Sequence, residues 1–162
     1  MKGGILLNKK EYLEQFYVFK EAINTYLEQD NWFLWANMYK GHKSLPLFSS
    51  LDAYYPGLLT LVGELEQARK TLLNYYLIWR QYGSLPEFYN VQIGGVHSNR
   101  ETYPLRPEFI ESIMYYYRAT NDERFLSMAF EFLESIETVT RLDCGFATVS
   151  KNKKKIHETH EN

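Results

Sequence analysis

Cysteine is nearly absent from the sequence, and long apolar runs are missing altogether. Cys144 is the only cysteine among 162 residues, so no disulfide bond can form within the chain. No apolar stretch approaches the roughly 20 residues that a membrane-spanning helix requires. The apolar segment within residues 1–8 is too short for the core of a signal peptide. We therefore expect no membrane span and no targeting segment in this sequence.

An excess of basic charge is missing as well. Lysine and arginine total 18 against 20 acidic residues, which gives a net charge of −2. Nucleic-acid-binding domains carry a basic face, and the mixed charges of this chain do not form one. The single basic run, residues 151–155, is followed closely by acidic and histidine residues. We interpret residues 151–162 as a solvated polar tail or loop.

Aromatic residues, in contrast, are abundant. Tyrosine, phenylalanine and tryptophan number 14, 10 and 3, or 17% of the chain. Tyrosine buries a ring while its hydroxyl stays hydrogen-bonded, which suits a wet cleft lined by flat apolar faces, as in sugar-binding sites. A large aromatic core between helices is the alternative interpretation, and composition alone favours it.

Apolar residues recur every three or four positions along much of the sequence, which predicts amphipathic helices. Asn8 is a predicted N-cap of the first helix, Asn121 or Asp122 of the last, and Gly63 and Gly83 are predicted helix ends. The predicted helices span residues 8–29, 53–62, 64–82, 107–119 and from 121 or 122 to 139.

The segments between these helices are shorter or irregular. Residues 32–48 predict a β-hairpin, residues 85–104 a long loop, and residues 144–149 a short strand. Long helices that alternate with irregular loops are typical of helical hairpins stacked around a toroid, with the loops gathered at one end. The predicted fold class is therefore mainly α, with short β-hairpins in the loops.

The most informative run is residues 103–112 (YPLRPEFIES). Two prolines flank Leu105 and Arg106, so the backbone that enters the helix is stiff. Glu108 lies in the first helical turn, where the helix dipole favours an ionised carboxylate, and Glu111 follows three residues later on the same side. A fixed, ionised carboxylate can act as a general base that activates water against a sugar's anomeric carbon. A simple helix-capping role for Glu108 is the alternative.

Four runs of the sequence resemble motifs of glycoside hydrolase family 47, the class I α-1,2-mannosidases. They are most similar to its ER degradation-enhancing α-mannosidase-like branch, and the similarity extends to about residue 151. In chain order, the runs are residues 50–57 (SLDAYYPG), 85–90 (LPEFYN), 103–112 and 144–147 (CGFA).

The resemblance implies an (α/α)7 toroid, incomplete in this chain, that inverts the anomeric centre of mannose trimmed from N-linked glycans. It also implies a Ca²⁺ cofactor. By matching motifs, Glu108 is the general base, and Arg106 and Glu87 bind substrate. Glu108 and Glu111 are expected to hold Ca²⁺ through water, because the direct ligand belongs to a Glu-Thr motif expected beyond Asn162. A hard cation with oxygen ligands suits that role.

The sequence also departs from the family pattern. The family's catalytic acid and a conserved aspartate belong to motifs expected before Met1, and Ser50 stands where the glycan-processing mannosidases have histidine. Cys144 matches a cysteine whose usual partner lies near the family's N-terminus. We therefore expect a partial catalytic domain over residues 1–150, with the character of a fragment, and inactive by itself.

The resemblance further implies location in the endoplasmic reticulum lumen and a role in ER-associated degradation. The implied partners are high-mannose N-glycans on misfolded glycoproteins, and a thiol oxidoreductase. Two alternatives stay open at this point: a non-catalytic, lectin-like binder of oligomannose glycoproteins, and a helical interaction scaffold without glycan chemistry.

Overall fold

A computed structural model describes residues 1–98 and 100–150 of the chain. The chain divides into two compact units, residues 1–46 and 47–162. The predicted polar tail, 151–162, lies outside the described residues, and the predicted boundary at residue 150 stays a prediction. Over the described ranges, no helix has the length and apolar character needed to cross a membrane.

The first unit contains two helices followed by two small antiparallel hairpins, β1–β2 and β3–β4. The second hairpin confirms the β-hairpin predicted within residues 32–48, whereas the first lies partly in the segment predicted as helix. The elements are α1 (Lys2–Leu6), α2 (Lys10–Tyr26), β1 (Glu28–Gln29), β2 (Trp32–Phe33), β3 (Trp35–Ala36) and β4 (Lys43–Leu45).

The prediction that Asn8 caps the first long helix was wrong. Asn8 has a positive φ of 50°, and the next amide, Lys9 N–H, donates to the carbonyl of Gly4 at 2.9 Å. Asparagine adopts the left-handed conformation more readily than most residues, so Asn8 closes α1 instead of opening α2. The N-cap of α2 is Lys9, whose side chain makes no capping hydrogen bond.

The second unit holds the remaining helices and a three-stranded antiparallel sheet in the order β5-β6-β7. A 3₁₀ helix (Ser50–Tyr54) leads directly into α3. The elements are β5 (Leu47–Ser49), α3 (Tyr55–Leu61), α4 (Leu65–Tyr82), β6 (Phe88–Asn90), β7 (Gly95–Val96), α5 (Glu108–Thr120), α6 (Glu123–Val139), β8 (Arg141–Leu142) and β9 (Gly145–Phe146).

Most predicted helix boundaries of this unit are confirmed. Gly63 and Gly83 have positive φ angles of 84° and 77° just after α3 and α4, where glycine avoids a Cβ clash. Asp122 caps α6, because its Oδ1 accepts a hydrogen bond from the Arg124 amide at 3.1 Å. Pro107, predicted as the first helical residue, is instead the N-cap of α5.

The prediction of a structureless loop over residues 85–104 was wrong in part. The segment contains β6 and β7, and β6 pairs with β5 with Phe48 opposite Tyr89. Strands of two or three residues are too short to display the alternation that identifies a strand in sequence. The predicted strand within 144–149 is confirmed only as β9, which pairs with β8.

The core of the second unit is aromatic. Trp79 of α4 stacks on Phe132 of α6 at 3.9 Å between ring centroids, and contacts Phe109 at 6.1 Å and Tyr103 edge-on at 5.8 Å. All four side chains are at most 4% exposed. Of the two interpretations of the aromatic content, the aromatic core is therefore confirmed in this unit. The mainly α fold class is confirmed as well.

A close approach joins α5 to α3 and to the 3₁₀ helix before it. The buried hydroxyl of Ser112 donates to the carbonyl of Ala53 at 2.6 Å and accepts from the amide of Gly57 at 2.9 Å. A Cβ on Gly57 would lie 2.7 Å from the Ser112 Oγ, so only glycine fits there without displacement. Ser112 therefore fixes the position of α5 one turn beyond its N-terminus.

Candidate functional site

The predicted catalytic segment enters α5 through a tight, proline-bounded turn. Leu105 lies between Pro104 and Arg106 and has a φ of 57°, in the left-handed region that side-chain-bearing residues rarely adopt. Pro107 is the N-cap of α5, and Glu108 is its first residue. The sequence thus places Arg106 and Glu108 on either side of the helix start, with a strained residue immediately before them.

Tyr103 anchors the beginning of this turn. Its backbone exchanges two hydrogen bonds with Val149, at 2.9 and 3.0 Å, and its ring is 2% exposed against Trp79. Burial, and secondarily the charge of Glu108, raises the pKa of Tyr103 to about 12. The Tyr103 hydroxyl therefore stays protonated, and it donates a hydrogen bond to the carbonyl oxygen of Arg106 at 3.5 Å.

Glu87 is held from several directions just before β6. Its backbone N–H donates to the carbonyl of Thr102 at 2.9 Å, and its own carbonyl accepts from the amide of Ser50 at 3.1 Å. The Thr102 hydroxyl donates to the Glu87 Oε2 at 3.2 Å. Ser50 is itself buried. Hydrogen bonds thus fix both the backbone position of Glu87 and the orientation of its carboxylate.

Two arginines flank the Glu87 carboxylate. The Arg106 Nη2 lies 3.7 Å from the Glu87 Oε1, and the Arg100 Nη1 lies 3.8 Å from the Oε2. The Arg106 side chain is 28% exposed and that of Arg100 55%, and the Arg100 guanidinium lies over the ring of Phe88 at 5.8 Å. Sequence analysis identified Glu87 and Arg106 but missed Arg100 and Thr102, because only the folded β6–β7 segment brings them to Glu87.

Three side-chain polar atoms of the residues in this region are buried without a hydrogen-bond partner among the described residues. One is the Oγ of Ser50, and the other two, in the turn that enters α5, are the Nε of Arg106 and the Oε2 of Glu108. An unpaired buried donor or acceptor is costly, since it has lost its hydrogen bonds to water. A donor–acceptor pair of this kind, two residues apart on one turn, matches the needs of a hydroxyl-rich ligand or of an ordered water. This is the observation that most favours a binding site here.

Glu111 occupies a different environment from Glu108. It lies one turn further along α5, where its amide donates to the carbonyl of Pro107 at 3.0 Å and its side chain is exposed. The structure therefore pairs Glu87 with Arg106, places Glu108 two residues further on, and leaves Glu111 at the surface. The catalytic, substrate-binding and Ca²⁺ roles predicted for these residues stay predictions.

The described residues do not by themselves make a calcium site. A Ca²⁺ ion takes six to eight oxygen ligands, and no group of three or more Asp, Glu, His or Cys in residues 1–98 and 100–150 is arranged to hold a metal. The unpaired Oε2 of Glu108 offers one hard oxygen. Cys144 is exposed beside β9 and is not disulfide-bonded.

Comparison with known proteins shows the family of the chain. The model of glycosyl hydrolase family 47 matches residues 1–162. The chain is 50% identical over 149 residues to ER degradation-enhancing alpha-mannosidase-like protein 2 of Mus musculus, covering 92% of this chain and 26% of that protein. It is 39% identical over 155 residues to ER degradation-enhancing alpha-mannosidase-like protein 1 of Schizosaccharomyces pombe, covering 94% and 19%.

The fold has a solved counterpart. The alpha-1,2-mannosidase from Trichoderma reesei superimposes with a TM-score of 0.72 at 20% identity, over 90% of this chain and 37% of that one. This likeness confirms the (α/α)7 fold class, of which the chain represents a part. The chain spans about a quarter of the length of the mouse relative. It belongs to glycosyl hydrolase family 47, as an α-mannosidase-like domain.

Proposed function

We propose that this chain contributes the general base and part of the sugar pocket of an inverting α-1,2-mannosidase that trims N-linked glycans. The observation that carries the proposal is that the Oε2 of Glu108 and the Nε of Arg106, two residues apart in sequence, are both buried and unpaired. The names of the mouse and yeast relatives, ER degradation-enhancing alpha-mannosidase-like proteins, support mannoside chemistry and a setting in ER-associated degradation.

The proposed chemistry follows from these groups. Glu108, the first residue of α5, accepts a proton from a water that attacks the anomeric carbon of mannose. The guanidinium of Arg106 donates to a sugar hydroxyl, and its ion pair with Glu87 limits the rotamers available to it. The rigid entry through residues 103–107 keeps both groups in place without reorganisation, which is where positioning contributes to rate.

The remaining parts of the proposal rest on family resemblance. Glu108 and Glu111 would hold Ca²⁺ through water, and the ion's direct ligands would come from other residues. When bound, Ca²⁺ would polarise the attacking water and orient sugar hydroxyls. We place the protein in the endoplasmic reticulum lumen, with high-mannose glycoproteins as substrates and a thiol oxidoreductase as a partner of the domain. The catalytic acid is expected in a motif this chain does not contain.

The proposal predicts mannoside binding by the chain itself, and turnover only when the rest of the domain is supplied. The test uses two proteins: the 162-residue chain, and the mouse relative carrying this chain in place of its matching segment. Calorimetric titration with α-1,2-mannobiose measures binding by the chain. Mannose released from oligomannose N-glycan measures turnover by the chimera, with the unaltered mouse protein assayed alongside it.

Glu108→Gln should lower mannose release by roughly 10² to 10⁴-fold, the usual contribution of a general base, and leave mannobiose affinity nearly unchanged. The matched control is Glu123→Gln, which alters an exposed acid in the first turn of α6 and should alter neither. If the chain binds mannobiose but neither the chimera nor the unaltered mouse protein releases mannose, a lectin-like binder is favoured. Absence of both binding and release would leave only a helical scaffold.

A further inference from the structure

The left-handed backbone of Leu105 is unusual for its residue type. A Cβ-bearing residue at a φ of 57° is strained, and the residues that tolerate this conformation best are glycine, asparagine and aspartate. The other positive-φ residues in the described part of the chain are all of these types; they are Asn8, Asp30, Asn31, Asn121 and five glycines. Leu105 alone among them is a large apolar residue, and it lies next to the candidate site.

Strain of this kind persists only where the surrounding structure imposes it. Upstream, Tyr103 is fixed by its two backbone hydrogen bonds to Val149 and by burial of its ring. Downstream, Pro107 is the N-cap of α5, and the Ser112 hydroxyl ties that helix to Ala53 and Gly57. With both ends held, the chain must turn sharply within three residues.

The two prolines restrict the backbone conformations available to this turn. Pro104 and Pro107 have fixed φ angles, and a residue that precedes proline, here Arg106, is disfavoured in the α conformation. The reversal of direction is therefore concentrated at Leu105. Its left-handed turn determines how the next residue, Arg106, is aimed, and Arg106 leads to Glu108. The buried, unpaired Nε and Oε2 lie on these two side chains.

We propose that Leu105 is a positioning residue whose strained turn pre-organises Arg106 and Glu108 to receive a mannoside. The ligand class rests on the proposed function, whereas the strain and its ordering effect are properties of the free chain. A conformation held in advance spares the ligand the cost of ordering these groups when it binds. The strained backbone at Leu105 thus lowers the stability of the fold while it orders Arg106 and Glu108.

The test compares Leu105→Gly with Leu105→Ala, since both remove the same side-chain contacts and only glycine relieves the strain. Leu105→Gly should melt about 2–4 °C above Leu105→Ala, the shift expected for the modest cost of a left-handed non-glycine residue. Despite that gain, the Arg106 Nε–H, followed by NMR, should exchange with solvent about ten-fold faster in Leu105→Gly than in Leu105→Ala. The affinity of Leu105→Gly for α-1,2-mannobiose should be about ten-fold weaker than that of Leu105→Ala.

A second variant controls for strain relief elsewhere. Asn121 is also left-handed, at the C-terminus of α5, so Asn121→Gly should change neither Arg106 exchange nor mannobiose affinity. Stability and site order that move in opposite directions support the inference, because a merely structural residue would move them together. A lower melting temperature for Leu105→Gly than for Leu105→Ala overturns it, and so does unchanged exchange or unchanged affinity.

Failure of the proposed function gives a different result. If the wild-type chain binds no mannobiose, the ligand assignment is wrong, whereas the exchange and melting comparisons still decide whether the Leu105 turn orders Arg106. Faster exchange in Leu105→Gly would then support the positioning role for a different ligand, and equal exchange would refute it.

Discussion

The two units of the chain use the same helical periodicity to different ends. In α4 of the second unit, Ala68, Leu72 and Tyr75 form a face with no exposed surface. In α2 of the first unit, which shows a similar three-to-four-residue apolar pattern, no side chain is buried. Phe19, for example, is 67% exposed. An amphipathic pattern thus indicates which face of a helix can be buried, and leaves open what buries it.

The difference explains why the candidate site belongs to the second unit. Catalytic groups need rigid support, and α5 is packed against α3, α4 and α6. The aromatic cluster around Trp79 includes Tyr103 and Phe109, which flank the predicted catalytic segment on either side. A comparable cluster of buried aromatic side chains does not occur among residues 1–46, where Phe33 is the one buried aromatic residue.

The largest expected effect comes from removing the centre of the aromatic core. Trp79→Ala should lower the free energy of unfolding by on the order of 3–5 kcal/mol, because it leaves a cavity among Tyr103, Phe109 and Phe132. Phe19→Ala in the first unit is the matched change and should cost within about 0.5 kcal/mol. Urea unfolding measures the free energy of unfolding of both variants, and equal decreases would contradict the difference between the two units.

A smaller effect is expected from a methyl group at the close approach of α3 and α5. Gly57→Ala should cost about 1–3 kcal/mol of unfolding free energy, since its Cβ would lie 2.7 Å from the Ser112 Oγ and 3.1 Å from the Ser112 Cα. Gly3→Ala in the first unit meets its nearest atom at 3.7 Å and should be tolerated. Thermal melts of the two variants suffice, and a neutral Gly57→Ala would refute the close packing.

The smallest of the three effects is a pH dependence of stability. Burial raises the pKa of Asp52 from 3.8 to about 6, although its bond from the Ser49 amide opposes the shift. The folded pKa therefore exceeds the unfolded value. The contribution of the protonated Asp52 carboxyl to the free energy of unfolding is fully present below about pH 3.8 and is lost as the pH rises through about 6.

Asp52→Asn should remove that loss. The variant keeps an oxygen acceptor for the Ser49 amide but no longer ionises, so at pH 7 it should be more stable than wild type by on the order of 1–2 kcal/mol. At pH 4 the two proteins should differ little. Unfolding free energies measured at both values check the prediction, and parallel pH profiles for the two proteins would contradict it.

Sequence analysis succeeded where local chemistry decides the structure. Gly83 and Asp122 end and begin helices through their own backbone and side-chain preferences, which need no distant partner. The contact of Thr102 with Glu87 could not be predicted, because it depends on strands too short to show a period. The positive φ of Leu105 was equally hidden, since leucine carries no preference for that conformation. Glu108 was found from its motif, and its unpaired oxygen only from the fold.

The most direct test of the central claim is a map of where the chain meets a mannoside. Isotope-labelled chain titrated with α-1,2-mannobiose should show its largest NMR shift changes at Glu87, Arg106 and Glu108, with saturation and with loss of the changes in Arg106→Ala. Residues 1–46 should be unaffected. Changes concentrated in residues 1–46, or none at a mannobiose concentration far above that expected for a sugar site, would contradict the assignment of a mannoside pocket to the start of α5.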